Sequence, residues 1–268
     1  MEYDRIKDIL AVPIRRCSCF RRLAYKLFEL GFLRVRHVKR ELFRLLKSRN
    51  GEVHLFDAGF GFGPYMDFVL RSFPDVHVTG LEIKAEQVED CTSFFEKEGF
   101  GDRINLFTGD LLTYRENEEY DIAIAIDILE HIEDDILVMR NLHQSLKPGG
   151  VLLIHTPASG VDSRLDRREE YFVGEHVRDG YLDRELKEKL LQAGFSRVEL
   201  KYTYGKYGMA AWWIMQGIPL RLVHRLPLLG VIIPLYYILL FPFAHRLMLA
   251  DLAGGLQQGK GLLVRAYK

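Results

Sequence analysis

The chain has 268 residues, 48% hydrophobic and 28% charged, with 37 Lys and Arg balanced by 37 Asp and Glu. That composition excludes a disordered chain and supplies enough apolar side chains for one large domain with an elaboration. The neutral total hides an asymmetry, because the first 50 residues hold 14 Lys and Arg against 5 Asp and Glu, leaving 23 against 32 for the rest. A basic arm on an acidic body points to an anionic partner, either membrane surface or nucleic acid. Cys17, Cys19 and Cys91 are an odd number with no second pair to complete a zinc site, so no metal is expected and the thiols read as reduced in a cytoplasmic protein.

The basic arm, residues 1–50, reads as helical. Phe20, Leu23 and Leu27 share one face, and Val35, Val38, Leu42 and Leu45 share another. A strand over 53–56 then runs into Asp57-Ala58-Gly59-Phe60-Gly61-Phe62-Gly63. Glycines at alternate positions let the backbone turn tightly and let a ligand approach where a Cβ would obstruct it. Pro64 suits the first turn of a helix predicted over 64–71. Counted from Gly59, the sixth place is Pro64, where the dinucleotide fingerprint wants glycine.

A second strand, 76–81, ends at Glu82, and Val88, Cys91 and Phe95 mark a helical face after it. Strand three covers 104–108 with Asp110 just past its end, and strand four, 120–126, is apolar enough to be covered on both faces. A helix over 133–146 is stopped by Pro148-Gly149-Gly150, and strand five follows over 151–155. A helix from Asp183 to Gly194 and strands over 197–202 and 261–267 complete the order. The expected fold class is α/β, a doubly wound, seven-stranded, mostly parallel sheet. Its parts are a basic helical arm (1–50), a sheet domain (51–205), an apolar helical insertion (206–257) and a final strand (258–268).

Several motifs fall in one order: Asp57-x-Gly59-x-Gly61-x-Gly63; the acid Glu82 ending strand two; Gly109-Asp110-Leu111; and Asp127-Ile128-Leu129-Glu130-His131-Ile132 after strand four. Leu146-Lys147-Pro148-Gly149-Gly150 and Ala193-Gly194-Phe195 follow. Over roughly residues 50–205 and the last ten, this resembles the class I S-adenosylmethionine-dependent methyltransferases, in the manner of the ubiquinone-biosynthesis O-methyltransferases. The resemblance implies a Rossmann-like fold and S-adenosylmethionine as cofactor. Glu82 would accept from the ribose hydroxyls, as an acid does in dinucleotide sites, with Ile83 beside it. Asp110 would accept from the adenine amine, and Leu111 would supply an amide. Asp57 would fix loop amides and help hold the ammonium of the amino-acid tail, within a loop made by Ala58, Gly59, Phe60, Gly61 and Gly63. Asp127 and His131 would flank the cavity below the sulfonium.

Methyl transfer from a sulfonium is an in-line displacement, so alignment in a dry site is the main task. A base is needed only for a hydroxyl or protonated amine. The candidates are His155, just past strand five, and His176, in the segment that covers the acceptor pocket in the family; Tyr171 and Tyr181 have no better claim. The insertion distinguishes this chain. Between Arg225 and His245 lie 19 uncharged residues, 15 of them apolar, yet Pro227, Pro234 and Pro242 are expected to break or kink a single span. The insertion therefore reads as an apolar cover beside the acceptor pocket, dipping into a bilayer. Trp212, Trp213, Tyr236 and Tyr237 would sit at headgroup level and Arg221, Arg225 and Arg246 would face lipid phosphate. Nucleic acid would explain the basic arm but nothing about the insertion. The expectation is a cytoplasmic, peripherally or monotopically membrane-associated methyltransferase for a lipophilic acceptor, most simply at oxygen. A soluble enzyme with an apolar lid and a non-catalytic cofactor-binding partner in a membrane complex stay open.

Overall fold

The computed structural model describes residues 17–160, 177–225 and 232–268. Two helices lead in, α1 (Ser18–Gly31) and α2 (Leu33–Lys47), separated by Phe32 in extended conformation. The sheet strands are β1 (Val53–Ala58), β2 (Val76–Glu82), β3 (Ile104–Thr108), β4 (Tyr120–Ile126), β5 (Leu146–Pro157), β6 (Arg197–Thr203) and β7 (Gly261–Tyr267). Helices α3 (Pro64–Ser72), α4 (Ala85–Lys97), α5 (Asp135–Ser145) and α6 (Asp183–Gln192) cross between them. The strand order is β3-β2-β1-β4-β5-β7-β6, with β7 antiparallel to both of its neighbours and the other pairs parallel.

Alternation of side chains along each strand buries both faces of the sheet. On one face Leu55, Val78, Ile122 and Leu153 pack with Val38 and Leu42 of α2 and Met66 of α3. On the other, Phe56, Ala123 and Leu152 pack with Val138 of α5 and Leu186 of α6. The chain reverses direction across the sheet between β1 and β4, and the crevice beyond the strand ends at that switch is where α/β sheets bind ligands.

Two boundaries differ from expectation. Helix α5 stops at Ser145, and Leu146 to Gly150, read as a helix stop, already belongs to β5, with a register shift opposite Tyr120 and Ile122. Strand five also runs on to Pro157, which places His155 inside the strand and not past it.

The insertion leaves the sheet at Thr203 and returns at Gly261, which are paired in register, so both ends lie on the edge where the parallel strands finish. It comprises α7 (Lys206–Trp212), a π-helical turn (Trp213–Gly217), α8 (Ile218–Arg225) and α9 (Ile233–Leu252). Pro234 opens α9, a position that tolerates proline, while Pro242 sits inside the helix without ending it. The carbonyl that Pro242 leaves without a donor belongs to Ile238, whose side chain is 71% exposed, so that group faces outward rather than into the core. Ala244 and Met248 of α9 pack with Leu33, Ala211 and Met215. Tyr236 and Tyr237, expected at a headgroup level, instead donate their hydroxyls to the carbonyls of Ile214 and Met215 at 2.7 and 2.8 Å and staple α9 to the π-helical turn. Arg221 stacks on the Trp213 ring, 4.4 Å from its centroid.

Candidate cofactor site

The three glycines of the loop do different things. An ideal Cβ on Gly59 would clash with Ile128, and one on Gly63 would meet Met66 at 2.8 Å; both also take a positive φ, +76° and +74°, so those two serve the turn and the packing. Gly61 has no protein atom within 4 Å of that position and a φ of +55°, leaving a cradle open for a ligand. Phe60, placed in the site by sequence, turns its side chain into the core against Gly80, so only its backbone can face a ligand. Gly59 N–H donates to the Leu81 carbonyl at 2.8 Å, tying the loop to β2.

Glu82 ends β2 beside this cradle. Its Oε2 accepts from Gly61 N–H at 3.0 Å, and its Oε1 accepts from the amides of Ile83 and Lys84 at 3.0 and 3.2 Å. Those bonds fix the carboxylate and leave lone pairs for hydroxyl donors. The Ile83 side chain next to it is exposed, an apolar plate beside the acid. One strand over, Asp110 Oδ1 accepts from Leu112 N–H at 2.9 Å, and the Leu111 carbonyl accepts from Asn141 Nδ2 at 2.8 Å, which holds this turn in place.

Asp57 is buried at the end of β1, and its Oδ2 has no hydrogen-bond partner. Burial first, and the Glu82 charge second, push its carboxyl up to about 8. Two further buried polar atoms are also without a partner, the Tyr65 hydroxyl and Arg34 Nε, and the Arg34 charge acts on Tyr65, whose phenol burial raises to about 12. Unpaired buried polar atoms cost stability unless a ligand completes them. A buried carboxyl, a phenol and a guanidinium suit the ammonium and carboxylate of an amino acid, and the arriving ammonium would favour the ionised form of Asp57. Together with the open face of Gly61 and the fixed Glu82, the donor set fits S-adenosylmethionine.

Asp127 follows β4 with a φ of +51°, held there because its N–H donates to the His155 carbonyl at 2.8 Å. Its Oδ1 meets His155 Nδ1 at 2.8 Å, and its Oδ2 forms an ion pair with Arg34. His155 Nε2 meets Thr203 Oγ1 at 3.2 Å. Both ring nitrogens are thus engaged and the ring is buried. Desolvation, then the charges of Arg34 and His37, hold its pKa well below the usual histidine value. His155 is a neutral residue that positions Asp127, and no nitrogen is left to take a proton from an acceptor. His131 sits in a short 3₁₀ turn, Leu129–His131, beside Asp127. Tyr181 is buried and donates to Asp135 Oδ2 at 2.6 Å, which makes it a core residue and removes it as an acceptor-side candidate. His176 and Tyr171 lie outside the described residues.

Sequence reasoning missed Arg34. Nothing in its spacing marks it, since it opens a helix of the basic arm, and only the packing of α2 over the sheet edge brings it to Asp127. Its backbone N–H also donates to the Tyr204 hydroxyl at 3.0 Å, tying it to the start of the insertion.

Comparison with known proteins gives the same picture. A family described as "Methyltransferase domain" matches residues 56–152. The ubiquinone biosynthesis O-methyltransferase of Rickettsia prowazekii is 27% identical over 134 residues, 48% of this chain and 51% of that protein. Malonyl-[acyl-carrier protein] O-methyltransferase 2 of Ilyobacter polytropus is 23% identical over 134 residues, 50% of each. The chain thus spans about half the length of these relatives. Phosphoethanolamine N-methyltransferase 2 of Haemonchus contortus, solved with S-adenosyl-L-methionine, superposes with a TM-score of 0.58 at 19% identity, over 85% of this chain and 52% of that one. With the glycine loop, the carboxylate ending β2 and the strand order all in place, residues 56–152 match a methyltransferase domain and the chain is similar in sequence and fold to S-adenosylmethionine-dependent methyltransferases.

Proposed function

We propose that this protein transfers a methyl group from S-adenosylmethionine to a lipophilic acceptor, at oxygen, while seated on the cytoplasmic face of a membrane. The observation that carries the membrane half is the exposed side of α9. Leu235, Ile238, Leu239, Phe243 and Leu249 form one uncovered apolar stripe, opposite the face that packs on α7. Among the described residues α9 is the one helix long and apolar enough to cross a membrane. Its buried face holds Asp251, whose carboxylate accepts from His37 at 3.0 Å and from the amides of Gly205 and Gly208 at 2.8 and 3.0 Å. Extracting α9 into a bilayer would strip that carboxylate of its partners, at a cost of several kcal/mol. A helix lying in the interface keeps them.

When bound, S-adenosylmethionine supplies an activated methyl group on a good leaving sulfur. Asp57, Tyr65 and Arg34 would hold its amino-acid end, and Glu82 with Asp110 its ribose and adenine. Asp127, fixed by His155, stands at the acceptor side of the strand ends. The relatives' names fit a lipophilic or carrier-borne acceptor, since one acts in ubiquinone biosynthesis and one on a malonyl-[acyl-carrier protein].

The test is transfer of labelled methyl from S-adenosylmethionine into a bacterial lipid extract presented as liposomes, with the product identified by mass spectrometry. Label in the organic phase is the expected result. Liposome sedimentation of the Ile232→Ser, Leu235→Ser, Leu239→Ser triple variant separates the two halves, because it should lose liposome binding at high salt and keep its cofactor affinity. Wild-type protein that ignores anionic liposomes at low salt would overturn the membrane reading and leave a soluble enzyme with an apolar lid.

A further inference from the structure

Away from the cofactor edge, a cavity of about 660 Å³ opens between the end of α1, the outer face of α2 and the last turns of α9. Its α2 wall carries Arg36, Lys39, Arg40 and Arg44, one helical face by their spacing of three and four. Two of these cations are pinned by neutral acceptors. Arg36 donates to the carbonyls of Glu29 and Leu30 at 2.8 and 3.2 Å and meets His245 Nδ1 at 2.8 Å, and Arg40 donates to the Leu252 carbonyl. Carbonyl bonds orient a guanidinium without neutralising it, and each retains N–H groups for a further acceptor. Lys39 pairs with Glu29 at 2.7 Å and Arg44 with Glu41 at 3.3 Å. Glu41 is shared with Arg265 at 2.8 Å and Lys201 at 3.6 Å, so the groove keeps a positive excess.

Besides Glu29 and His245, the rest of the lining is apolar, including Leu30 and Phe43. Leu30 also continues the exposed stripe of α1 formed by Phe20, Leu23 and Leu27. On the other wall, His245 and Leu252 flank the exposed stripe of α9, by their angular position on the helix. The cations therefore lie where the two apolar stripes converge, the level at which a bilayer places its phosphates.

We propose that this groove binds the headgroup of an anionic phospholipid, with Arg36 and Arg40 on the phosphate and Leu30 and Phe43 against the upper acyl chain. The proposal rests on the membrane reading above and deepens it, turning diffuse attraction into a built site. Its occupant is a bilayer lipid, because a free phosphate would leave the apolar half of the groove unused.

The experiment is sedimentation of the full chain with phosphatidylcholine vesicles with and without phosphatidylglycerol. The Arg36→Gln, Arg40→Gln pair is compared with a Lys97→Gln, Lys187→Gln pair that loses the same charge from other exposed positions. With about 1 kcal/mol per cation near the surface, the groove pair should lose about thirtyfold of the preference for anionic vesicles, and the control pair almost none. Glu29→Gln guards against misfolding as the explanation, since freeing Lys39 should raise that preference about fivefold. Wild-type binding to anionic vesicles that the groove pair retains would overturn this site alone, while no wild-type binding to either vesicle would overturn the membrane reading with it. Glycerol phosphate bound in calorimetry as tightly as the vesicle lipid would replace the lipid with a soluble ligand and overturn the assignment.

Discussion

Helices α1 and α2 are neighbours in the chain, both basic and both amphipathic, and they turn opposite faces to the protein. Helix α2 buries Val35, Val38, Leu42 and Leu45 against the sheet. Helix α1 leaves Phe20, Leu23 and Leu27 at least half exposed and buries Arg21 and Tyr25 instead. The inward Arg21 binds Asp90 at 3.0 Å, the Phe62 carbonyl at 3.0 Å and Cys91 Sγ at 2.9 Å, and Tyr25 donates to the same Phe62 carbonyl. Cys91 in turn donates to the Gly61 carbonyl at 3.4 Å. An amphipathic pattern therefore states that a helix has two faces and leaves open which one the core receives. In α1 the polar side clamps the back of the cofactor loop, and the apolar side is left for another surface.

The largest expected effect is on the buried stripe of α2. Leu42→Ala should cost about 2–5 kcal/mol in denaturant unfolding, the range for emptying a packed core position. On α1, Arg21→Ala should cost about 1.5–3 kcal/mol, because it strips charged hydrogen bonds from Asp90 and the Phe62 carbonyl. It should also weaken cofactor binding through the loosened loop, and calorimetry showing unchanged affinity would remove the clamp from the account.

Glu82→Ala should weaken S-adenosylmethionine binding by about 1–3 kcal/mol with the fold intact, so unchanged affinity would take Glu82 out of the site. Asp57 makes the comparison pH-dependent. A carboxyl raised to about 8 in the folded state keeps its proton where the unfolded chain has released it, so its burial lowers stability progressively as pH rises from the usual value of 3.8 toward 8. Asp57→Asn should flatten that decline in unfolding midpoints of the free protein, and a decline of the same steepness would assign it to another group. The smallest effect belongs to the outer face of α1, where Leu27→Ala should change stability by less than about 0.5 kcal/mol while reducing liposome binding. A loss as large as that of Leu42→Ala would mean the α1 stripe is covered in solution.

Most of the cofactor edge was legible because its constraints are local. Asp57, Gly61 and Glu82 sit at strand ends, where a turn, a positive φ or a carboxylate just after an apolar run leaves a mark in a few consecutive residues. Gly59 and Gly63 were legible as turn glycines, with φ of +76° and +74°, but not as packing glycines, since the atoms that exclude a side chain there belong to Ile128 and Met66. His155 was misread for the opposite cause. A histidine near a ligand edge looks like a base until its neighbours are known, and here Asp127 and Thr203 occupy both nitrogens. Pro242 was expected to break or kink its helix and does not break it, because the group it orphans faces outward.

The sequence by itself determined the alternation of strands and helices, the family motifs and the presence of two apolar surfaces with a basic arm. Each of these is carried by periodicity, by glycine and proline, or by composition within a short window. Tertiary structure alone decided which side of α1 faces in and that Arg34 reaches Asp127 from the basic arm. It also decided that α9 is moored through Asp251 to the edge from which the insertion springs. Those contacts join residues up to 214 positions apart. Pairings at that separation depend on how whole elements dock, and neither propensity nor spacing within one segment records them.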